Sequence, residues 1–426
     1  MKKQLWALAP LAVCLCGCPA AASVLHVPSE YPTIQAAVDA AMSGDEILLA
    51  SGRYEGPGNT NVLIESMSLS IRSESGAGAA RLVGPGYDDP KRGFELRLDP
   101  DDIVSVEGLA FEELRAQYGG AVLAEGGAQV VVEDCSLNSC GPPDTFEYGG
   151  GVIDVRSVRE VRVERSTFSW NFGPQSGITA HDCDAVRISD CDMFFNGGYK
   201  GLIIFAGRTV GEVERCRIVD NDGRLKVGVD ATARLRDTII VDYGGVHITG
   251  RLEAIGCTIA RAGGITMDWG SLVELDHSIV SGNCGGDFLG FGDLHARCSS
   301  LDSTGIADGI ALTLEGDQVW TDPLFCDPRE CGDISDHDLL RYWLAADSPC
   351  APENSPCGEL IGAYGIGCGA ETGGCCVDTK CSMTTDEGCA FLGGRFLGVG
   401  TSCETDSCVP TPILERSWGQ IKGVFR

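Results

Sequence analysis

"CDMFFNGG" at residues 191–198 shares a skeleton with "STFSWNFG" at 166–173 and "CRIVDNDG" at 216–223: a small residue, an apolar residue two later, Asn five later and Gly seven later. With Cys191 as position zero, Cys135, Ser166, Cys216, Thr238, Cys257 and His277 take the same place, at spacings of 31, 25, 25, 22, 19 and 20 residues along the series. Two residues on lie Leu137, Phe168, Met193, Ile218, Ile240, Ile259 and Ile279, all apolar. After the recurring glycines come short alternating runs such as Ile178-Thr179-Ala180, Val227-Gly228-Val229 and Val246-His247-Ile248. Period-two alternation marks strands, and Gly or Asn between them marks turns with unusual backbone angles. A unit of roughly 20–30 residues that cannot bury its own apolar face must stack on its neighbours. The pattern predicts an all-β fold, a parallel β-helix solenoid, in which Asn171, Asn196 and Asn221 form a column. Stacked amides bonding along the column explain these Asn residues better than ligand contacts do.

Composition narrows the chemistry. The chain has 426 residues and a formal net charge of −29, from 61 acidic against 32 basic residues, a balance that repels phosphate backbones and argues against nucleic acid. Lys2 and Lys3 followed by an apolar run to Cys16 and "CGCPAAAS" read as an export signal over 1–22. Two processing readings stay open: cleavage near Ala22, or a lipobox-like signal over 1–17 that leaves a lipid-anchored Cys18. The expected location is secreted or cell-surface. No later stretch is apolar enough to span a bilayer.

The N-terminal segment "VPSEYPTIQAAVDAAMSGDEILLASGRYEG" at 27–56 predicts a capping helix, N-capped by Thr33, with Ile34, Ala37, Val38 and Ala41 on one face and a first strand at 46–50. With this opening, and with rungs that look like right-handed parallel β-helix repeats, the chain resembles the pectin-lyase-like superfamily of exported bacterial proteins, which implies a right-handed parallel β-helix solenoid, and "DPLFCDP" at 322–328 through "SPCGELIGAYGIGC" at 355–368 resembles its closing segment. The β-helix is accordingly expected over 24–369.

A Cys-rich module is expected over 370–409. Cys375, Cys376, Cys381, Cys389, Cys403 and Cys408 fit three disulfides in a core too small to fold unaided, with 15 pairings open. Zinc is the weaker reading, because the module lacks His and paired C-x-x-C spacing. A tail at 410–426 places Trp418, Ile421, Val424 and Phe425 near helical spacing, as a sorting or docking peptide or as an ordinary tail packed on the module.

The resemblance implies carbohydrate chemistry, and the members it points to are pectate lyases, polygalacturonases and pectinesterases. Asp182, Asp184, Asp190 and Asp192 in "HDCDAVRISDCD" are the candidate calcium ligands for a lyase. Against this, Asp134, Arg165, Asp190, Arg215 and Asp237 precede position zero with alternating sign and read as a charge ladder. The polygalacturonase motifs and the pectinesterase Gln-Asp-Thr are absent, and "DFLGFG" at 287–292 matches the latter family only partly, which makes Asp287 a decoy. His181, His247 and His277 read as structural, as do the column cysteines, while Cys140 and Cys183 could bridge. No catalytic base is identifiable. The sequence favours a structural, adhesive or glycan-binding surface protein, with extracellular polysaccharide or surface proteins as partners. The alternatives are a divergent calcium-dependent lyase acting on an acidic polysaccharide and a periplasmic carbohydrate-processing protein.

Overall fold

The structure is a computed structural model that describes residues 22–86, 89–143, 149–331, 339–369, 373–377, 380–403 and Cys408. The export signal with Cys18 and the tail at 410–426 lie outside the described residues.

Three parallel sheets of 13, 11 and 10 strands wind around one apolar core, so that each rung contributes one strand to each sheet. In one rung, Glu160–Glu164 lies in the first sheet, Thr167–Ser169 in the second and Gln175–His181 in the third. Equivalent positions stack in register: Val132, Val163 and Ile188 form one buried column and Leu137, Phe168 and Met193 another. Because side chains alternate across each strand, the inward columns are mainly apolar and the outward columns are free to vary.

The corner between the first and second sheets turns on a single residue. Asp134, Arg165, Asp190, Arg215 and Asp237 all have φ between 46° and 55°, a left-handed conformation that costs each of them energy and lets the chain turn within one residue. The following small residue is buried, and its backbone N–H donates to the hydroxyl of the next rung where there is one: Cys135 to Ser166 at 3.1 Å, Cys216 to Thr238 at 3.3 Å and Cys257 to Ser278 at 3.1 Å. This register corrects the last rung of the sequence pattern. His277, with φ 47°, is a corner residue, and Ser278 takes the small-residue position. The run after Gly223 is likewise Leu225-Lys226-Val227, which pairs with Val246-His247-Ile248, so the expected Val227-Gly228-Val229 run lies two residues too far along.

At the next corner, Asn196 donates from Nδ2 to the Phe168 carbonyl and to Asn221 Oδ1, both at 2.9 Å, and its Oδ1 accepts from the backbone N–H and Nδ2 of Asn171. The three Asn residues are buried and form a continuous amide chain.

Helix α1, Ile34–Ala40, closes the N-terminal end. Thr33 caps it by accepting from the Ala36 N–H at 3.2 Å, and Ile34, Ala37 and Val38 face the core. The first strand is Val24–Val27, which precedes the helix and pairs with Asp45–Leu49, instead of beginning at Glu46.

The closing segment does not add rungs. Residues 323–331 and 339–369 turn back as a strap along the outer face of the second sheet, where Val219, Ile239, Val241 and Ala260 replace the polar outward residues of earlier rungs and pack against Tyr342, Trp343 and Tyr364. Arg329 is buried between Asp220 and Asp242, 3.1 Å and 3.7 Å away, and the Tyr342 hydroxyl donates to Asp242. Disulfides Cys284–Cys331, Cys298–Cys357 and Cys326–Cys368 pin the strap. Beyond it, Gly373–Val377, Lys380–Thr384 and Arg395–Phe396 form a small antiparallel sheet with disulfides Cys375–Cys389, Cys376–Cys408 and Cys381–Cys403. Cys140 and Cys183 do not bridge. They are buried free thiols, like Cys135, Cys191, Cys216 and Cys257, and burial pushes the thiol of Cys140 up to about 12 and that of Cys183 to about 11.

Candidate functional site

The four aspartates proposed as calcium ligands are not brought together. Asp182 and Asp184 precede the strand Ala185–Ser189, and Asp190 and Asp192 follow it. That strand separates the pairs by about 16 Å. Arg215 holds Asp190 with two bonds of 2.8 Å, which lowers its carboxyl below the ordinary range, and Arg217 holds Asp192. Asp182 accepts from the backbone N–H of Arg208 at 3.1 Å, and Asp184 is exposed. Arg165 likewise bonds Asp134, at 3.0 Å and 3.1 Å, so opposite charges alternate along this corner. Two clusters of the described residues have metal-ligand spacing, but their cysteines are disulfide-bonded and offer no thiolate: Cys298 and Cys357 beside His277, and Cys376, Cys381 and Cys408.

The three outer faces differ. The first sheet carries a mesh of ion pairs, among them Arg187–Glu212 at 3.6 Å, Arg236–Glu212 at 3.6 Å and Arg234–Glu253 at 3.0 Å. Pairs this exposed contribute about 0–1 kcal/mol each and leave little charge for a ligand. The second sheet lies partly under the strap. The third sheet carries the unusual ionisable groups.

One outward column of the third sheet runs Asp154, Thr179, Ile204, Lys226, His247 and Thr266 on successive rungs. Asp154 is fully buried beneath its neighbours, and burial pushes its carboxyl upward against the pull of Arg156, whose Nε donates to it at 2.8 Å. Gly150 is required there, since a Cβ at that position would sit 1.5 Å from the Asp154 carboxylate. Arg156 lies over the Tyr118 ring, 4.4 Å from its centre. Three rungs away, about 14 Å along the column, Lys226 is half-buried and makes no hydrogen bond or ion pair with any described residue. Burial lowers its ammonium below the ordinary lysine value, and the neighbouring charges of Arg224 and Lys200 lower it further. His247 on the next rung contacts Asp268 at 3.1 Å.

Aromatic residues line the edge beside this basic group. Trp170 stacks on Phe195 with ring centres 4.6 Å apart, Phe172 lies 6.5 Å from Trp170, and Tyr199 is 69% exposed next to Lys200. Trp170 and Phe195 occupy left-handed corner positions, with φ of 56° and 58°. On the next rungs Arg224, Tyr243, Arg261 and Asp222 line a cleft of about 280 Å³. The edge therefore combines flat apolar rings with concentrated positive charge in a chain that is otherwise strongly acidic.

Sequence reasoning missed Lys226 because the misplaced run put Val227 at the strand start and hid the lysine in a loop. The available signal was its rarity: the chain has seven lysines, and Lys226 is flanked by Leu225 and Val227 in a three-residue apolar-polar-apolar run.

No family model matches the chain, and no curated protein matches it. Among solved structures it is similar to pectate lyase Pel9A, at 14% identity and a TM-score of 0.46 over 78% of this chain and 90% of that one. It is also similar to the PL6 family alginate lyase AlyGC, at 12% identity and a TM-score of 0.34 over 79% of this chain and 58% of that one. The likeness is one of fold. At these identities neither assigns a role to any residue of this chain. No helix among the described residues is long and apolar enough to cross a membrane.

Proposed function

We propose that this protein is an exported, surface-associated β-helix that binds an acidic polysaccharide along the Lys226 edge of its third sheet. The observation that carries this reading is Lys226 itself, a half-buried ammonium without a described partner, set beside Arg224 and Lys200 in a chain of net charge −29. Grouping three cations costs free energy that an anionic ligand recovers. A uronate carboxylate supplies that charge, and the Trp170, Phe172, Phe195 and Tyr199 rings offer surfaces for the apolar faces of the sugar. The ladder-covered first sheet fits a rigid scaffold.

A second reading has its own support. Elimination from a uronate needs a base for the proton beside the carboxylate and a positive group to neutralise that carboxylate. A lysine whose pKa is lowered by burial and by adjacent cations is suited to the first task, and Arg224 to the second. No calcium shell is needed for binding, and the four aspartates of the sequence supply none.

The test applies the purified protein and its Lys226→Met variant to immobilised polyuronate and neutral glucan, recording retention together with ultraviolet absorbance of unsaturated products. A charge-assisted contact of about 1.5–3 kcal/mol predicts that the variant binds polyuronate about 10- to 150-fold more weakly. Binding should also decline as pH rises through the lowered lysine pKa, whereas elimination should accelerate over the same window. Equal retention of wild type and variant would remove the basis of both readings.

A further inference from the structure

The two ends of the solenoid are closed differently. At the N-terminal end α1 buries Ile34, Ala37 and Val38 against the core. At the other end the last strand of the first sheet, Ile310–Glu315, pairs among the described residues on one side only, with Gly292–Arg297. Leu312 and Leu314 continue the columns of Leu294 and Ala296, which are 0% and 2% exposed, yet they are 38% and 44% exposed themselves. The stacked pair Trp269 and Phe291, with ring centres 4.8 Å apart, extends this apolar surface around the corner, and Trp269 is 81% exposed. Core positions and an open strand edge left in water are a liability that solenoids cover with a terminal cap.

We infer that the segment 409–426 of this chain caps that end. Leu414, Trp418, Ile421 and Phe425 recur at the spacing of one helical face, the same device as α1 with larger side chains. Arg416, Lys422 and Arg426 against the single acid Glu415 make the segment basic, and the open end carries Asp293, Asp308, Glu315 and Asp317, all exposed. The segment starts at Cys408, held by Cys376, and extends up to about 60 Å, many times the 4.8 Å rung spacing. A second copy stacked head to tail is disfavoured, because the N-terminal end it would present is already covered by α1.

Hydrogen exchange on the full chain tests the inference, compared with a chain ending at Val409 and with the double variant Trp418→Ala, Phe425→Ala. Amides of 311–315 should exchange at least tenfold more slowly in the full chain than in either variant, while those of 272–276 stay unchanged and report that the rungs remain folded. A synthetic 409–426 peptide added to the shortened chain should restore the protection. Equal exchange in all three proteins would overturn the inference, and so would protection that grows with protein concentration, which would point to a second copy.

Discussion

Replacing Asp287 by Asn should stabilise the protein at neutral pH and leave it nearly unchanged in acid. Asp287 is 2% exposed at the entrance to the last strand of the third sheet. Its Oδ1 accepts from the backbone N–H of Asn283 at 3.0 Å and from Asn283 Nδ2 at 2.8 Å, while its Oδ2 is buried without a hydrogen-bond partner among the described residues. Burial, reinforced by the nearby charge of Asp302, raises its carboxyl from an ordinary 3.8 to about 6, against the hydrogen bonds from Asn283. The folded protein therefore keeps this proton up to about pH 6, whereas the unfolded chain releases it near 3.8. Between those values the folded state holds more protons, so stability falls as pH rises through the window, and the full penalty applies above it. A rise from 3.8 to about 6 corresponds to about 3 kcal/mol, at 1.36 kcal/mol per pKa unit. Asn keeps the Oδ1 acceptor and removes the charge, so Asp287→Asn should gain up to about 3 kcal/mol at pH 7.5 and close to nothing at pH 3.5. Urea unfolding of both proteins at the two pH values measures this. An equal gain at both, or a loss at pH 7.5, would refute the assignment of a buried, unpaired charge.

Two further outcomes follow from buried polar groups. Asn196→Ala removes the donors and acceptor of four buried hydrogen bonds and should cost about 3–5 kcal/mol, read as a lowered urea midpoint. Arg329→Met strands Asp220 and Asp242 without their buried cation and should cost about 3–5 kcal/mol. Adding Asp220→Asn and Asp242→Asn to it removes both charges at positions with φ of 53° and 56° that Asn tolerates, and should recover part of that loss, read from urea unfolding of the single and triple variants.

The repeat was legible because its physical cause is periodic. A column in the core demands the same residue class at each rung, so Cys191, Met193 and Asn196 announce themselves through Cys216, Ile218 and Asn221. Where a rung changes length the same reading slips, as it did at His277 for Ser278 and at Val227 for Leu225, because a one- or two-residue difference in a turn leaves no trace in an apolar pattern. The strap was harder still: "DPLFCDP" resembles a closing segment but does not say which face it packs on, and only the apolar outward residues Val219, Ile239 and Val241 show that something lies over the second sheet. The candidate site was not legible for a related reason. Lys200, Arg224 and Lys226 meet through stacking, and outward columns carry no repeating constraint that would single them out. The four aspartates of "HDCDAVRISDCD" illustrate the converse, since closeness in sequence across a strand places groups at its opposite ends.

The strap changes how this molecule should come apart. In a stacked array each rung touches only its neighbours, about 20–35 residues away in sequence, and such arrays fray from their ends one unit at a time. Arg329 and Tyr342 instead reach Asp220 and Asp242, with about 100 residues between the partners, and Cys298–Cys357 fastens the strap to one of the final turns. Peeling of the last five turns must therefore break the buried Arg329 cluster at the same time, which converts a gradual unzipping into one cooperative step and leaves the free fraying to the rungs before residue 200.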